Sequence, residues 1–154
     1  MSVKNSLAVN RVAIAGGVLG LVPFWALALA PWWTEGALAA AGRSYLLNYA
    51  ALILTFVGAI WWGIAVSLPQ MALSAGKRSV LFAWSLCPCL LAWFLLMTTP
   101  KAALLGMAGL LLLQLLLDFT LLWRAQLIPR WFWSLRIALS VGAVPALVFA
   151  AFSL

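Results

Sequence analysis

The chain has no histidine, two acidic residues, two cysteines and only 7% charged residues among its 154 positions. Each shortage excludes a class of chemistry. Without imidazole, a protein-ligated haem, a zinc site or an imidazole proton shuttle lacks its usual ligand. With Glu35 and Asp118 as the whole acidic complement, a two-carboxylate mechanism has just one possible pair. Cys87 and Cys89 flank Pro88 inside an apolar stretch. Residues two apart on a helix do not face each other, so these read as packing residues rather than a disulfide or redox pair. No catalytic, cofactor-binding or metal-binding set is expected, and the chain does not read as a self-contained enzyme.

Apolar residues fill the space that charge leaves. Hydrophobic residues make up 68% of the chain, with ten Trp and eight Phe, and mean hydropathy is +1.17. An ordinary soluble domain is about half apolar and about a quarter charged. Disordered chains are poor in the aromatic and aliphatic residues abundant here. The composition fits an integral membrane protein.

A membrane-crossing helix needs about 20 mostly apolar residues. Five such runs occur, at approximately 12–30, 45–69, 80–98, 102–123 and 133–154. None shows the apolar–polar alternation of a barrel wall. The expectation is an all-α bundle of five transmembrane helices forming a single membrane domain over 1–154. Lys4 and Arg11 ahead of the first run raise the question of a cleaved leader, but its length and the Pro23-Phe24-Trp25 interruption favour a retained span. Between the first two runs, Thr34 to Gly42 is a candidate short interfacial helix, with Thr34 as N-cap and Gly42 as stop.

Basic residues give an expected direction. Five spans put the N-terminus and the 70–79 and 124–132 connections on one side, with Lys4, Arg11, Lys77, Arg78, Arg124 and Arg130, and with Arg136 just inside the last span. Arg43 and Lys101 stand on the other. This asymmetry predicts a cytoplasmic N-terminus and a periplasmic C-terminus. The net charge of +7 then serves topology and anionic head groups, and no nucleic acid is expected as a partner. Trp32, Trp33, Trp123, Trp131 and Trp133 fall at span borders, as an aromatic belt would.

Polar residues inside spans are costly and call for a reason. Asp118 lies in the fourth span and Arg136 near the start of the fifth. A brief connection makes those helices antiparallel neighbours, so the two residues reach similar depth and are expected to form a structural ion pair. A proton or cation site at Asp118 is the functional alternative. Asn48 and Gln114 are expected to hydrogen-bond across helices. Gly16 and Gly20 in the first span, with Gly58 and Gly63 in the second, suggest close packing of those two helices. Trp61 and Trp62 beside them read as packing or partner-contact residues, or as the lining of a quinone or lipid slot.

The run Tyr49…Leu54…Phe56…Gly58…Trp62-Gly63, Pro88 followed by Trp93, Asp118, and the Pro129-to-Arg136 segment together resemble a bacterial inner-membrane family of unknown function. Its eukaryotic relatives are called transmembrane protein 69 and are mitochondrial. The resemblance covers roughly residues 12 to 150 and implies a multi-pass protein of the bacterial inner (cytoplasmic) membrane, without a reaction. It also implies respiratory or photosynthetic complexes as hosts. The functional expectation is an accessory or assembly subunit of a larger energy-transducing membrane complex, with the lipid bilayer and other membrane proteins as partners. A small carrier or channel working through Asp118 is one alternative, and a quinone- or lipid-binding protein another.

Overall fold

A computed structural model describes residues 3–69 and 72–153, and over residues 3–10 the backbone alone. Gln70 and Met71 in the second connection, the side chain of Lys4 and the span end at Leu154 lie outside the described residues.

The described residues form helices and no strands, one of the two ways, with the closed barrel, in which a membrane-crossing chain satisfies its backbone polar groups internally. In chain order they are α1 (Val3–Leu19), α2 (Leu21–Leu29), a 3-10 turn (Ala30–Trp32), α3 (Gly36–Ser67), α4 (Ala75–Leu96), α5 (Pro100–Leu117), a π-helical turn (Asp118–Trp123) and α6 (Arg130–Phe152). They provide five helical segments long and apolar enough to cross a membrane: Arg11–Trp32, Gly36–Ser67, Ala75–Leu96, Pro100–Trp123 and Arg130–Phe152. This is a multi-pass membrane protein.

The largest boundary difference from the sequence expectation is at the start of the second span, while α4 and α6 also begin earlier than expected, at Ala75 and Arg130. No separate helix covers Thr34 to Gly42; α3 starts at Gly36 and runs unbroken for 32 residues. At 1.5 Å per residue it is about 48 Å long, more than the hydrocarbon core of about 30 Å. Gly42 does not stop it because its missing side chain serves packing, an added Cβ there lying 3.3 Å from Cβ of Ala30. Thr34 turns its hydroxyl back to Ala30 O (2.8 Å), and Gly36, at φ +60°, makes the left-handed entry into the helix.

Local chemistry sets the other ends. Pro100 occupies the first position of α5, where its missing N–H costs nothing. The Ser74 hydroxyl caps α4 by accepting from the Lys77 amide (3.4 Å). The C-terminus of α3 is held by Arg78, whose guanidinium donates to the carbonyls of Ala65, Leu68 and Pro69. The Ala65 carbonyl is one of the orphan acceptors at the helix end, Leu68 and Pro69 follow it, and a cation there also complements the helix dipole.

The interior follows helical spacing. On α3 the buried stripe is Leu46, Ala50, Leu54, Gly58, Trp61 and Ala65; on α6 it is Arg136, Ser140, Ala143, Leu147 and Ala150. On α5 and its π turn, Met107, Leu111, Gln114 and Asp118 share one face. Small residues on these stripes let the helices approach closely. One apolar cluster joins Phe24, Leu54, Leu104 and Leu147, and a smaller one gathers Trp61, Ala65, Leu81, Leu122 and Ile128. The polar residues on the stripes lie between them.

The glycines do not pair as the sequence suggested. An added Cβ at Gly58 would stand 2.9 Å from Ser85 O and 3.0 Å from Pro88 Cγ, so Gly58 seats α4 against α3. An added Cβ at Gly63 or Gly16 would meet nothing within 4 Å among the described residues outside its own helix backbone. Gly20 alone of the four faces the other helix: an added Cβ there would lie 3.6 Å from Tyr49 Oη, which donates to Gly20 O (2.8 Å), and the Phe24 and Tyr49 rings pack edge-on at 5.1 Å. Spacing showed small faces on both helices, but not the rotation of each about its axis. Gly58→Ala is expected to cost about 1–3 kcal/mol, because a backbone carbonyl and a proline ring cannot move aside. Thermal unfolding in detergent measures this, with Gly63→Ala as the near-neutral control.

Candidate functional site

Side chains of α3, α5 and α6 meet at the carboxylate of Asp118, which is 3% exposed, and α4 joins them through Gln114. Trp61 of α3 donates its indole N–H to Oδ1 (2.6 Å). Gln114, one turn before Asp118 on α5, donates from Nε2 to the same oxygen (3.1 Å). Arg136 of α6 donates from Nε to Oδ2 (2.9 Å), and its Nη2 lies 2.8 Å from that oxygen. Nη2 is close enough for charge attraction but misaligned for a second hydrogen bond. From α4, Trp84 donates its indole N–H to Gln114 Oε1 (2.8 Å).

The donor inventory fixes this arrangement. An indole can only donate, so Gln114 must present its oxygen to Trp84, which turns its NH2 group toward Asp118. An ionised carboxylate only accepts, and this one is met by three aligned donors and a nearby fourth nitrogen. Trp84–Gln114–Asp118–Arg136, with Trp61 as a branch, is therefore a continuous buried chain of polar contacts joining α3, α4, α5 and α6. Asp118 and Arg136 are each buried, with side chains 4% and 5% exposed, and each charge offsets the other's removal from water. The connection Arg124–Pro129 between α5 and α6 is short. Its π-helical turn closes with Arg124 N to Phe119 O (3.0 Å), and Leu127 N to Leu122 O (2.9 Å) brings the chain round.

Trp61 and Trp62 do not form one slot. Trp61 is fully buried, while Trp62 is 47% exposed and packs edge-on against Phe82 at 4.8 Å. Adjacent helical positions diverge by about 100°, and here that step turns the first indole into the bundle and leaves the second on the surface. Trp61 is also shut off from any partner, because its N–H needs the Asp118 oxygen once it is buried. Asn48 sits on the exposed side of α3, away from Gln114. Sequence reasoning missed Trp61 and Trp84 as donors, since tryptophan inside a span reads as apolar bulk. Trp61 shares the register of Leu54, Gly58 and Ala65, but the outward face of α3 is equally apolar, so hydropathy alone did not mark that stripe as the inner one.

A second feature lies beside the network. A crevice of about 410 Å³ runs between the first span, α3 and α6, with Gly16, Gly20 and Phe24 on one wall, Val57 on another and Arg136 and Ser140 on a third. Ser140 lies one turn beyond Arg136 on the same face of α6. Neither its Oγ nor Arg136 Nη2 has a hydrogen-bond partner among the described residues. No curated protein and no solved structure matches the chain. A family model described as protein of unknown function (DUF3429) matches residues 9–152; spanning nearly the whole chain, that match makes the protein a member of the DUF3429 family.

Proposed function

We propose that the chain is a non-catalytic accessory or assembly subunit of a larger energy-transducing complex in the bacterial inner membrane. The observation that carries this reading is the closure of Asp118. Three aligned donors, from Trp61, Gln114 and Arg136, already meet it, so this buried charge is used to join helices. A carrier would need Asp118 to exchange these donors for a transported ion, and each donor left behind would be buried without an acceptor. Carrier chemistry is accordingly the weaker reading. The energy-transducing host rests only on the sequence resemblance to a bacterial family with mitochondrial relatives.

The proposed direction has the N-terminus in the cytoplasm. Arg136 is committed to Asp118, and without it Lys4, Arg11, Lys77, Arg78, Arg124 and Arg130 still outnumber Arg43 and Lys101.

The test is a native-gel and mass-spectrometry pull-down. The chain, tagged at its N-terminus and kept at native expression level, is extracted in mild detergent. Comigration with one large complex in fixed proportion is the expected result. A lone band at monomer or dimer size contradicts the accessory role and redirects the work to ion flux in proteoliposomes.

A further inference from the structure

We infer that the crevice beside the polar network binds a neutral, membrane-dissolved molecule with a carbonyl head and an apolar tail, a prenylated quinone in chemical type, which accepts hydrogen bonds from Arg136 Nη2 and Ser140 Oγ. The inference stands independently of the accessory role.

Two buried polar groups carry it. Arg136 is 4% exposed and Ser140 3% exposed, and both line the crevice; Ser140 Oγ has no hydrogen-bond partner among the described residues, and Arg136 Nη2, ion-paired with Asp118 Oδ2 at 2.8 Å, has no aligned one. A buried donor left unmade is costly, and in a bilayer no bulk water is at hand to satisfy it. The two stand one turn apart on α6, so they face the same space. Around them the walls are apolar and aromatic, including Phe24 and Phe132, and the volume falls in the range of small-molecule sites.

The charge state selects the head group. Asp118 already neutralises Arg136, so an anionic head would bring an uncompensated charge into the bundle. A carbonyl oxygen accepts from both donors and adds no charge. Depth then separates the neutral candidates. Ser140 is the eleventh of the 23 residues of α6, near the middle of the span, whereas the ester carbonyls of a glycerolipid stay beside its polar head at the interface. A molecule free to enter the bilayer interior fits that depth. Entry is lateral, because Val12 and Phe56 line the crevice and are 75% and 68% exposed on the lipid-facing side. Gly16 sits at the mouth, and an added Cβ there meets nothing within 4 Å.

The test uses two photoreactive probes on the full chain in detergent–lipid micelles, an azido-substituted short-chain ubiquinone and a phosphatidylcholine carrying the photoreactive group on its acyl chain. Cross-linked peptides are mapped by mass spectrometry. The quinone probe is expected to label the Gly16–Phe24 and Arg136–Ser140 regions in competition with unlabelled quinone. Ser140→Ala should weaken competition about tenfold, the scale of one buried hydrogen bond, with the melting temperature unchanged. Gly16→Phe should abolish labelling by filling the mouth. Labelling that Ser140→Ala leaves intact overturns the site. So does labelling confined to the phosphatidylcholine probe, which makes the occupant a structural lipid, and so does no specific labelling by either probe.

Discussion

Replacing Asp118 with alanine is expected to strip the protein from the membrane. The substitution leaves the Arg136 guanidinium in the bundle interior, 4% exposed, with no counter-charge, and also removes the acceptor of the Trp61 indole and of the Gln114 amide. Breaking a buried pair from one side costs about 3–5 kcal/mol in soluble proteins. Against a total stability of about 5–15 kcal/mol, that empties much of the folded population and exposes the chain to proteolysis. Asp118→Asn should be milder, because an amide oxygen remains for Trp61 while the charge partner of Arg136 is lost. Immunoblots of membranes and melting temperatures in mild detergent read both effects. Wild-type levels of a folded Asp118→Ala protein would mean that Arg136 finds another route to neutrality.

Trp61→Ala is expected to be nearly as damaging, for a different reason. Trp61 has no exposed surface and is the largest side chain of the smaller apolar cluster, against Ala65, Leu81 and Leu122. Truncating so large a buried residue costs about 3–5 kcal/mol through lost contacts and the cavity left behind. Trp61→Phe separates packing from polarity. It keeps most of the volume and loses only the N–H to Asp118, so its cost should be about 1–2 kcal/mol, within the span measured for hydrogen bonds to charged groups and for bonds inside membranes. Chemical or thermal unfolding of the three proteins side by side gives the ranking wild type, Trp61→Phe, Trp61→Ala. Equal losses for both variants would mean that the indole N–H, rather than bulk, holds this corner.

The helical spans were readable because a bilayer leaves so few options: an apolar run of sufficient length without alternation has to be a helix. The meeting of Asp118 with Arg136 was readable for a related reason, since a short turn between α5 and α6 matches their depths. What surrounds that pair was not. Which face of α3 and α4 turns inward depends on rotation about each helix axis, and in a chain this apolar the outward faces are as hydrophobic as the inward ones. Leu52 and Phe56, at 66% and 68% exposed, differ little in character from buried Leu54. Hydropathy therefore carried no rotational signal, and the roles of Trp61, Trp84 and Gly58 stayed hidden. Arg78 was hidden by a different ambiguity. A basic residue in a connection satisfies the positive-inside pattern whether it floats in head groups or, as here, closes the carbonyls that end α3.

The same logic explains why one acid can be retained in so apolar a bundle. Leucine stripes pack at many rotations with little difference in free energy, whereas a carboxylate with three donors from three other side chains fits in one arrangement. On this account the network serves register more than net stability, in keeping with the near-neutral balance of buried ion pairs against apolar replacements.

The most direct test is a double-mutant cycle on Asp118 and Arg136, with leucine at each position and melting in mild detergent as the readout. If the pair is a structural staple, each single variant strands one buried charge or its donors, and the double variant, which strands neither charge, melts well above Asp118→Leu alone. Losses that simply add, with the double variant the least stable of the four proteins, would contradict the account and show that the two residues act separately.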